Sequence, residues 1–214
     1  MAKQVCGKVP NLERLKAIWR DIVRIYPHYP KGGIAYVDPE SLWAHPDEWE
    51  EVMGYLTDMI DPESYDVILA IAVRGVPVAT GLELAHHKSM VIARKPENGK
   101  SKIPPGYRVQ AMTSSEYGKD VPIEFNGRYI KAAQRVLIVD DLMATGGTAS
   151  SLIEALTRKC GAKVAGVAVL THLRYLSAVA KGVGCPVYSV FNQEVRPTLP
   201  DNTADQTDFS CPLE

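Results

Sequence analysis

Residues 136–150 read Val136-Leu137-Ile138-Val139-Asp140-Asp141-Leu142-Met143-Ala144-Thr145-Gly146-Gly147-Thr148-Ala149-Ser150, and this stretch decides the fold. The continuous apolar run ending at Val139 has the pattern of a strand buried on both faces. Asp140 and Asp141 follow it, then a short loop rich in Gly and Thr, then a helix expected from about Thr148 to Cys160. A strand that runs through a polar turn directly into a helix is the repeating unit of a parallel sheet covered by helices.

The flanking sequence repeats that unit. A second apolar run, Val67-Ile68-Leu69-Ala70-Ile71-Ala72-Val73, precedes a helix expected at about Val78 to His87, and Met90 to Ala93 and Lys163 to Leu170 read as further strands. Upstream, Leu12, Leu15, Ile18, Trp19, Ile22 and Val23 recur at helical spacing behind Asn11, a good N-cap, in a helix expected to end before Tyr26-Pro27. A second N-terminal helix starts at Pro46, with Asp47 and Glu48 in its first turn, where the helix dipole favours acids. The fold class is therefore α/β, with a central, mostly parallel sheet flanked by helices. In such sheets ligands bind at the carboxyl ends of strands, here just after Val73, Ala93, Val139 and Leu170. Residues 1–191 read as one domain. A segment at about 96–126 reads as a mostly irregular lid, too long for a mere connection, and 192–214 as a polar, extended tail.

Composition narrows the function classes. The 214 residues carry 24 Lys and Arg against 25 Asp and Glu, a net charge of −1, which argues against a nucleic-acid or anionic-membrane binder. The neutral total hides an uneven layout. No Lys or Arg lies between Gly32 and Val73, whereas Lys88, Arg94, Lys95, Lys100, Lys102 and Arg108 follow closely with only Glu97 among them. Cys6, Cys160, Cys185 and Cys211 are far apart and form no metal-type spacing, the usage of a reduced, cytoplasmic protein. His86 and His87 read as surface residues at a helix end. His172 reads either as a satisfied structural residue or as a ligand-contacting group.

The residues around Asp140 specify a ligand chemistry. Gly146 and Gly147 permit positive φ and close approach of the backbone, so successive N–H groups and the Thr145 and Thr148 hydroxyls can cradle a phosphate at a helix N-terminus. Carboxylates repel phosphate but accept hydrogen bonds from hydroxyls. The combination calls for a sugar phosphate, with its hydroxyls on Asp140 and Asp141 and its phosphate in the loop from Ala144 to Thr148. Neither the G-x-x-x-x-G-K-[ST] nor the G-x-G-x-x-G pattern is present, which disfavours nucleoside-triphosphate and dinucleotide folds.

This segment resembles the phosphoribosyl-pyrophosphate (PRPP) signature of type I phosphoribosyltransferases, in a form close to that of the adenine phosphoribosyltransferases. The resemblance spans roughly residues 11–192: Tyr29 to Asp38 is similar to the base-binding segment, Val73-Arg74-Gly75 to the pyrophosphate loop, Arg94-Lys95-Pro96 to the next basic turn, and Ser115-Glu116-Tyr117-Gly118 to the lid. It implies a type I phosphoribosyltransferase fold with a small N-terminal hood and a flexible lid. It also implies a purine-salvage pentosyltransferase that converts adenine and PRPP to AMP and pyrophosphate. The implied catalytic residues are Glu116, Arg74, Asp140 and Asp141. PRPP would be held by Asp140, Asp141, Ala144, Thr145, Gly146, Gly147 and Thr148. Pyrophosphate would be held by Arg74, Gly75, Arg94, Lys95, Lys102 and Tyr117, and the base by Ala35, Tyr36, Val37 and Leu173. A cis peptide bond immediately before Arg74, Mg²⁺ held by Asp140 and Asp141 directly or through substrate, and a cytoplasmic homodimer complete the implied picture.

Ala144 stands where relatives acting on 6-oxopurines carry aspartate, which favours adenine. Three positions depart from the family pattern: Ala72 replaces an acid, Val37 an arginine and His172 a glutamate. The competing readings are a transferase for another nitrogenous base and a PRPP-binding regulatory protein.

Overall fold

The computed structural model describes residues 11–27, 35–114, 120–177, 183–194 and 209–210. Helix α1 (Leu12–Asp21) is capped by the Asn11 side chain, which accepts the Arg14 N–H. Strands β1 (Arg24–Pro27) and β2 (Ala35–Asp38) pair antiparallel and lead into α2 (Pro39–Trp43) and α3 (Pro46–Asp58). The alternating units follow: β3 (Val67–Ile71), α4 (Gly75–His86), β4 (Ser89–Ala93), β5 (Arg108–Ser114), β6 (Asp120–Asn126), β7 (Arg135–Met143), α5 (Gly147–Cys160), β8 (Lys163–Leu173), α6 (Arg174–Ser177), β9 (Val187–Gln193) and β10 (Phe209–Ser210).

The main sheet has the order β10-β9-β8-β7-β3-β4, parallel except for the antiparallel β10. Alternate residues of β3 feed two cores. Ile68 and Ala70 join α1, α3 and α4 on one face, and Val67, Leu69 and Ile71 join α5 and the β5–β6 hairpin on the other. All five residues of β3 are buried, as its unbroken apolar run requires. The acidic face of α3 is more than a wet surface, because Arg14 of α1 pairs with both Glu48, at 2.9 Å, and Glu51, at 3.0 Å.

Several sequence expectations are corrected. Helix α1 stops at Asp21, so Val23 enters the core from the chain beyond the helix. The segment expected to be mostly irregular contains the antiparallel hairpin β5–β6. Pro122 hides that strand from pattern reading, and it is tolerated because a two-stranded hairpin has free edges. Val109, Ala111, Ile123 and Phe125 turn one face of the hairpin into the second core. The sheet also continues beyond β8. Strand β9 was masked by its polar Ser189, Asn192 and Gln193, all of which are buried, and Phe209-Ser210 returns from the expected tail to pair with Gln193 and Asn192.

Candidate active site

Strand β7 runs through Asp140 and Asp141 to Met143, so both carboxylates are fixed by strand backbone instead of lying in the loop after it. The Asp141 N–H donates to Asp140 Oδ1 at 2.9 Å. Asp141 is buried, and its Oδ2 accepts no hydrogen bond. Burial, then the neighbouring Asp141 carboxylate, pushes Asp140 well above the ordinary carboxylate range. Beyond Met143 the chain turns at Gly146, whose φ of +79° is a left-handed conformation suited to glycine, and α5 begins at Gly147. The Gly147 N–H donates to Thr145 Oγ1 at 3.4 Å. Ala144 to Thr148 therefore form a turn whose N–H groups open at the N-terminus of a 14-residue helix, a ready anion site.

The second wall comes from the end of β3. A Cβ added at Gly75 would lie 2.8 Å from both Asp140 Cα and Val139 O, so only glycine lets the start of α4 press against β7. That contact brings Arg74 to the carboxylate pair: its Nε is 3.3 Å from Asp141 Oδ2, and its guanidinium lies 5.1 Å from the centre of the Tyr36 ring. Burial alone would lower the Arg74 pKa, but Asp141, Tyr36 and Asp140 together outweigh it and raise the pKa above the usual value. The turn before Arg74 is tied to the neighbouring strand, because the Ala72 N–H donates to Ala93 O at 2.8 Å. The cis peptide joins Ala72 to Val73, one bond earlier than expected.

The remaining expected residues divide into groups. Arg94 and Lys95 follow β4 at the same end of the sheet and are exposed, and Lys102 is exposed in an ion pair with Glu97. Tyr36 reaches the site through Arg74, whereas the side chains of Val37 and Leu173 are buried in the first core. Ala35 pairs through its backbone with Pro27. Glu116 and Tyr117, with the lid tip at 115–119, lie outside the described residues. His172, next to last in β8, stands in register with Met143 and Asn192; burial and then Arg174 lower its pKa to about 4, so it is neutral at physiological pH.

Sequence reasoning missed a small, largely apolar pocket behind Asp141, bordered by Val37, Leu142, Thr171 and Phe191. Phe191 could be found only by recognising β9. It also missed Glu124, a buried acid on β6.

Comparison with known proteins agrees with this architecture. The family model of the phosphoribosyl transferase domain matches residues 40–182. A protein of Rhodospirillum rubrum named adenine phosphoribosyltransferase is 38% identical over 157 residues, covering 73% of this chain and 88% of its own length. One of the same name from Gluconacetobacter diazotrophicus is 39% identical over 154 residues, with coverage of 72% and 84% respectively. The crystal structure of adenine phosphoribosyltransferase from Rhodothermus marinus superposes with a TM-score of 0.72 at 26% identity, over 84% of this chain and 99% of that one. The family-model match over residues 40–182 and these relatives make this chain a member of the phosphoribosyltransferase family, among relatives named adenine phosphoribosyltransferase.

Proposed function

We propose that the protein transfers the 5-phosphoribosyl group of PRPP to a ring nitrogen of adenine, giving AMP and pyrophosphate. The observation that carries this reading is the meeting of Arg74 with the Asp140–Asp141 pair at the mouth of the Ala144 to Thr148 turn. Phosphate binds the turn, the ribose hydroxyls donate to Asp140 and Asp141, and the pyrophosphate lies toward Arg74, the Gly75 backbone, Arg94, Lys95 and Lys102. The bond from C1 of the ribose to pyrophosphate oxygen breaks, the new bond from C1 to the purine nitrogen forms, and that nitrogen loses its proton. Fixed cations opposite the departing pyrophosphate stabilise the charge that develops on it. Glu116 is the proposed proton acceptor, and Tyr117 closes with it over the site.

The Asp140–Asp141 pair fits Mg²⁺, a hard cation that takes one or two carboxylates and fills its remaining positions with water and substrate phosphate. Asp141 Oδ2 has no hydrogen bond to give up, and among the described residues no cluster of three or more His, Cys, Asp or Glu offers a complete protein cage. When bound, Mg²⁺ supplies charge neutralisation for the leaving pyrophosphate.

Ala144 supports adenine as the base, since it adds no carboxylate near the purine. The names of the relatives support the same choice. The free thiols of Cys160 and Cys185 fit a cytoplasmic setting, and a homodimer is the proposed assembly. Incubating the protein with PRPP, Mg²⁺ and adenine, hypoxanthine, guanine or a pyrimidine base in turn, with nucleotide product measured, tests the reading. AMP formation is expected. Turnover with guanine but not adenine would overturn the choice of base, and no turnover with any base would overturn the activity.

A further inference from the structure

Glu124 on β6 is 1% exposed, and neither of its carboxyl oxygens has a hydrogen-bond partner. An acid in that condition is costly to keep unless a cation reaches it. The cation nearest in register is Arg94. The two residues form an antiparallel bridge, with the Arg94 N–H donating to Glu124 O at 2.9 Å and the Glu124 N–H donating to Arg94 O at 2.8 Å. Side chains directly opposite in such a pair stand on one face, about 5 Å apart at their Cβ atoms. Alternation gives the same result from both strands: Ala93, before Arg94, and Ile123 and Phe125, on either side of Glu124, all enter the second core, so Arg94 and Glu124 share the opposite face. The turn carrying Arg74 is hydrogen-bonded to β4 at Ala93, one residue before Arg94.

We infer that Glu124 is a positioning residue: its buried carboxyl takes the Arg94 guanidinium and aims it at the pyrophosphate of PRPP. The inference rests on the PRPP-binding reading and deepens it, because it assigns to the hairpin base the task of organising the basic turn. Arg94 is exposed in the free protein, and a long exposed cation without a guide spends most of its time away from any one ligand position. A carboxyl accepting one edge of the guanidinium leaves the remaining N–H groups in a fixed fork for phosphate oxygens.

The sign of the effect separates this role from simple electrostatics. Removing a negative charge close to a polyanion should tighten its binding, whereas removing a guide for Arg94 should weaken it. Calorimetric titration of PRPP with Mg²⁺ into wild type, Glu124→Gln, Arg94→Ala and the double variant reads this directly. Gln keeps the shape of Glu and cannot hold the guanidinium as a counter-ion. The expected result is about tenfold weaker PRPP binding for Glu124→Gln, as for the loss of one charged hydrogen bond, with no further loss in the Arg94→Ala background. Binding by Glu124→Gln as tight as or tighter than wild type overturns the inference, as does an undiminished loss in the Arg94→Ala background. If Glu124→Gln does not fold, Arg94→Lys is measured instead, since Lys keeps the charge and loses the fork; wild-type affinity there overturns the inference. Failure of the wild type itself to bind PRPP overturns the functional reading and this inference together, whereas wild-type binding that Glu124→Gln leaves intact overturns the inference alone.

Discussion

Arg74 Nε lies 3.3 Å from Asp141 Oδ2, which joins the turn after β3 to the end of β7 across the mouth of the site. The pairing orients a cation toward the proposed pyrophosphate position beside the two proposed ribose-binding carboxylates. Tyr36 supports it from the N-terminal hairpin, with its ring 5.1 Å from the guanidinium. Tyr36→Ala should weaken PRPP binding by a factor of about 2 to 30, the range expected for loss of a partly desolvated cation–π contact, and Arg74→Ala should weaken it more. A PRPP titration of both variants measures the order.

Gly75→Ala should damage both the fold and the site. The added methyl group would meet backbone at 2.8 Å, at Asp140 Cα and Val139 O, and backbone cannot step aside as a flexible side chain can. The expected loss is about 1–3 kcal/mol of stability together with a marked loss of PRPP affinity, because Arg74 moves with the displaced turn. Gly106→Ala, where an added Cβ meets nothing within 4 Å, is the control that should leave both unchanged. Thermal unfolding with a PRPP titration checks the pair.

The site was legible in sequence wherever chemistry is local. Asp140, Asp141 and the turn from Ala144 to Thr148 are contiguous, so residue types and spacing alone announced a strand, a phosphate-type turn and a helix. The approach of Arg74 was harder to read, because it depends on a glycine contact between the start of α4 and β7, more than 60 residues apart in sequence. The hairpin base and β9 were misread or missed because Pro122 breaks one alternating pattern and buried Asn192 and Gln193 mimic a solvated tail. In both places tertiary burial overrides local polarity.

Acid should destabilise the protein in two separate windows. His172 has an ordinary pKa of 6.5 that falls to about 4 in the fold. As pH drops through 6.5 the unfolded chain takes up a proton that the native state refuses, so stability declines down to about pH 4, by at most about 1.4 kcal/mol per pH unit. His172→Gln should remove that slope. Asp66 acts lower, since hydrogen bonds from Arg135 depress its pKa from 3.8 to about 2, and the stability it contributes is present above pH 3.8 and lost as pH falls through 2. Denaturant unfolding followed between pH 7 and pH 2 separates the two.

Ala144→Asp should lower turnover with adenine while leaving PRPP affinity within a few-fold of wild type, because the substitution introduces the aspartate that the resemblance associates with 6-oxopurine specificity. Initial rates with adenine, hypoxanthine and guanine, beside a PRPP titration, distinguish this from a damaged phosphate site, in which PRPP affinity would fall as well.

The claim on which the rest depends is that Asp140 and Asp141 hold the ribose of PRPP. Calorimetric titration of PRPP with Mg²⁺ into wild type and into the Asp140→Asn, Asp141→Asn double variant tests it directly, with the fold of each confirmed by thermal unfolding. The wild type should bind, and the folded double variant should show no measurable binding. A folded double variant that binds PRPP as tightly as wild type would contradict the account.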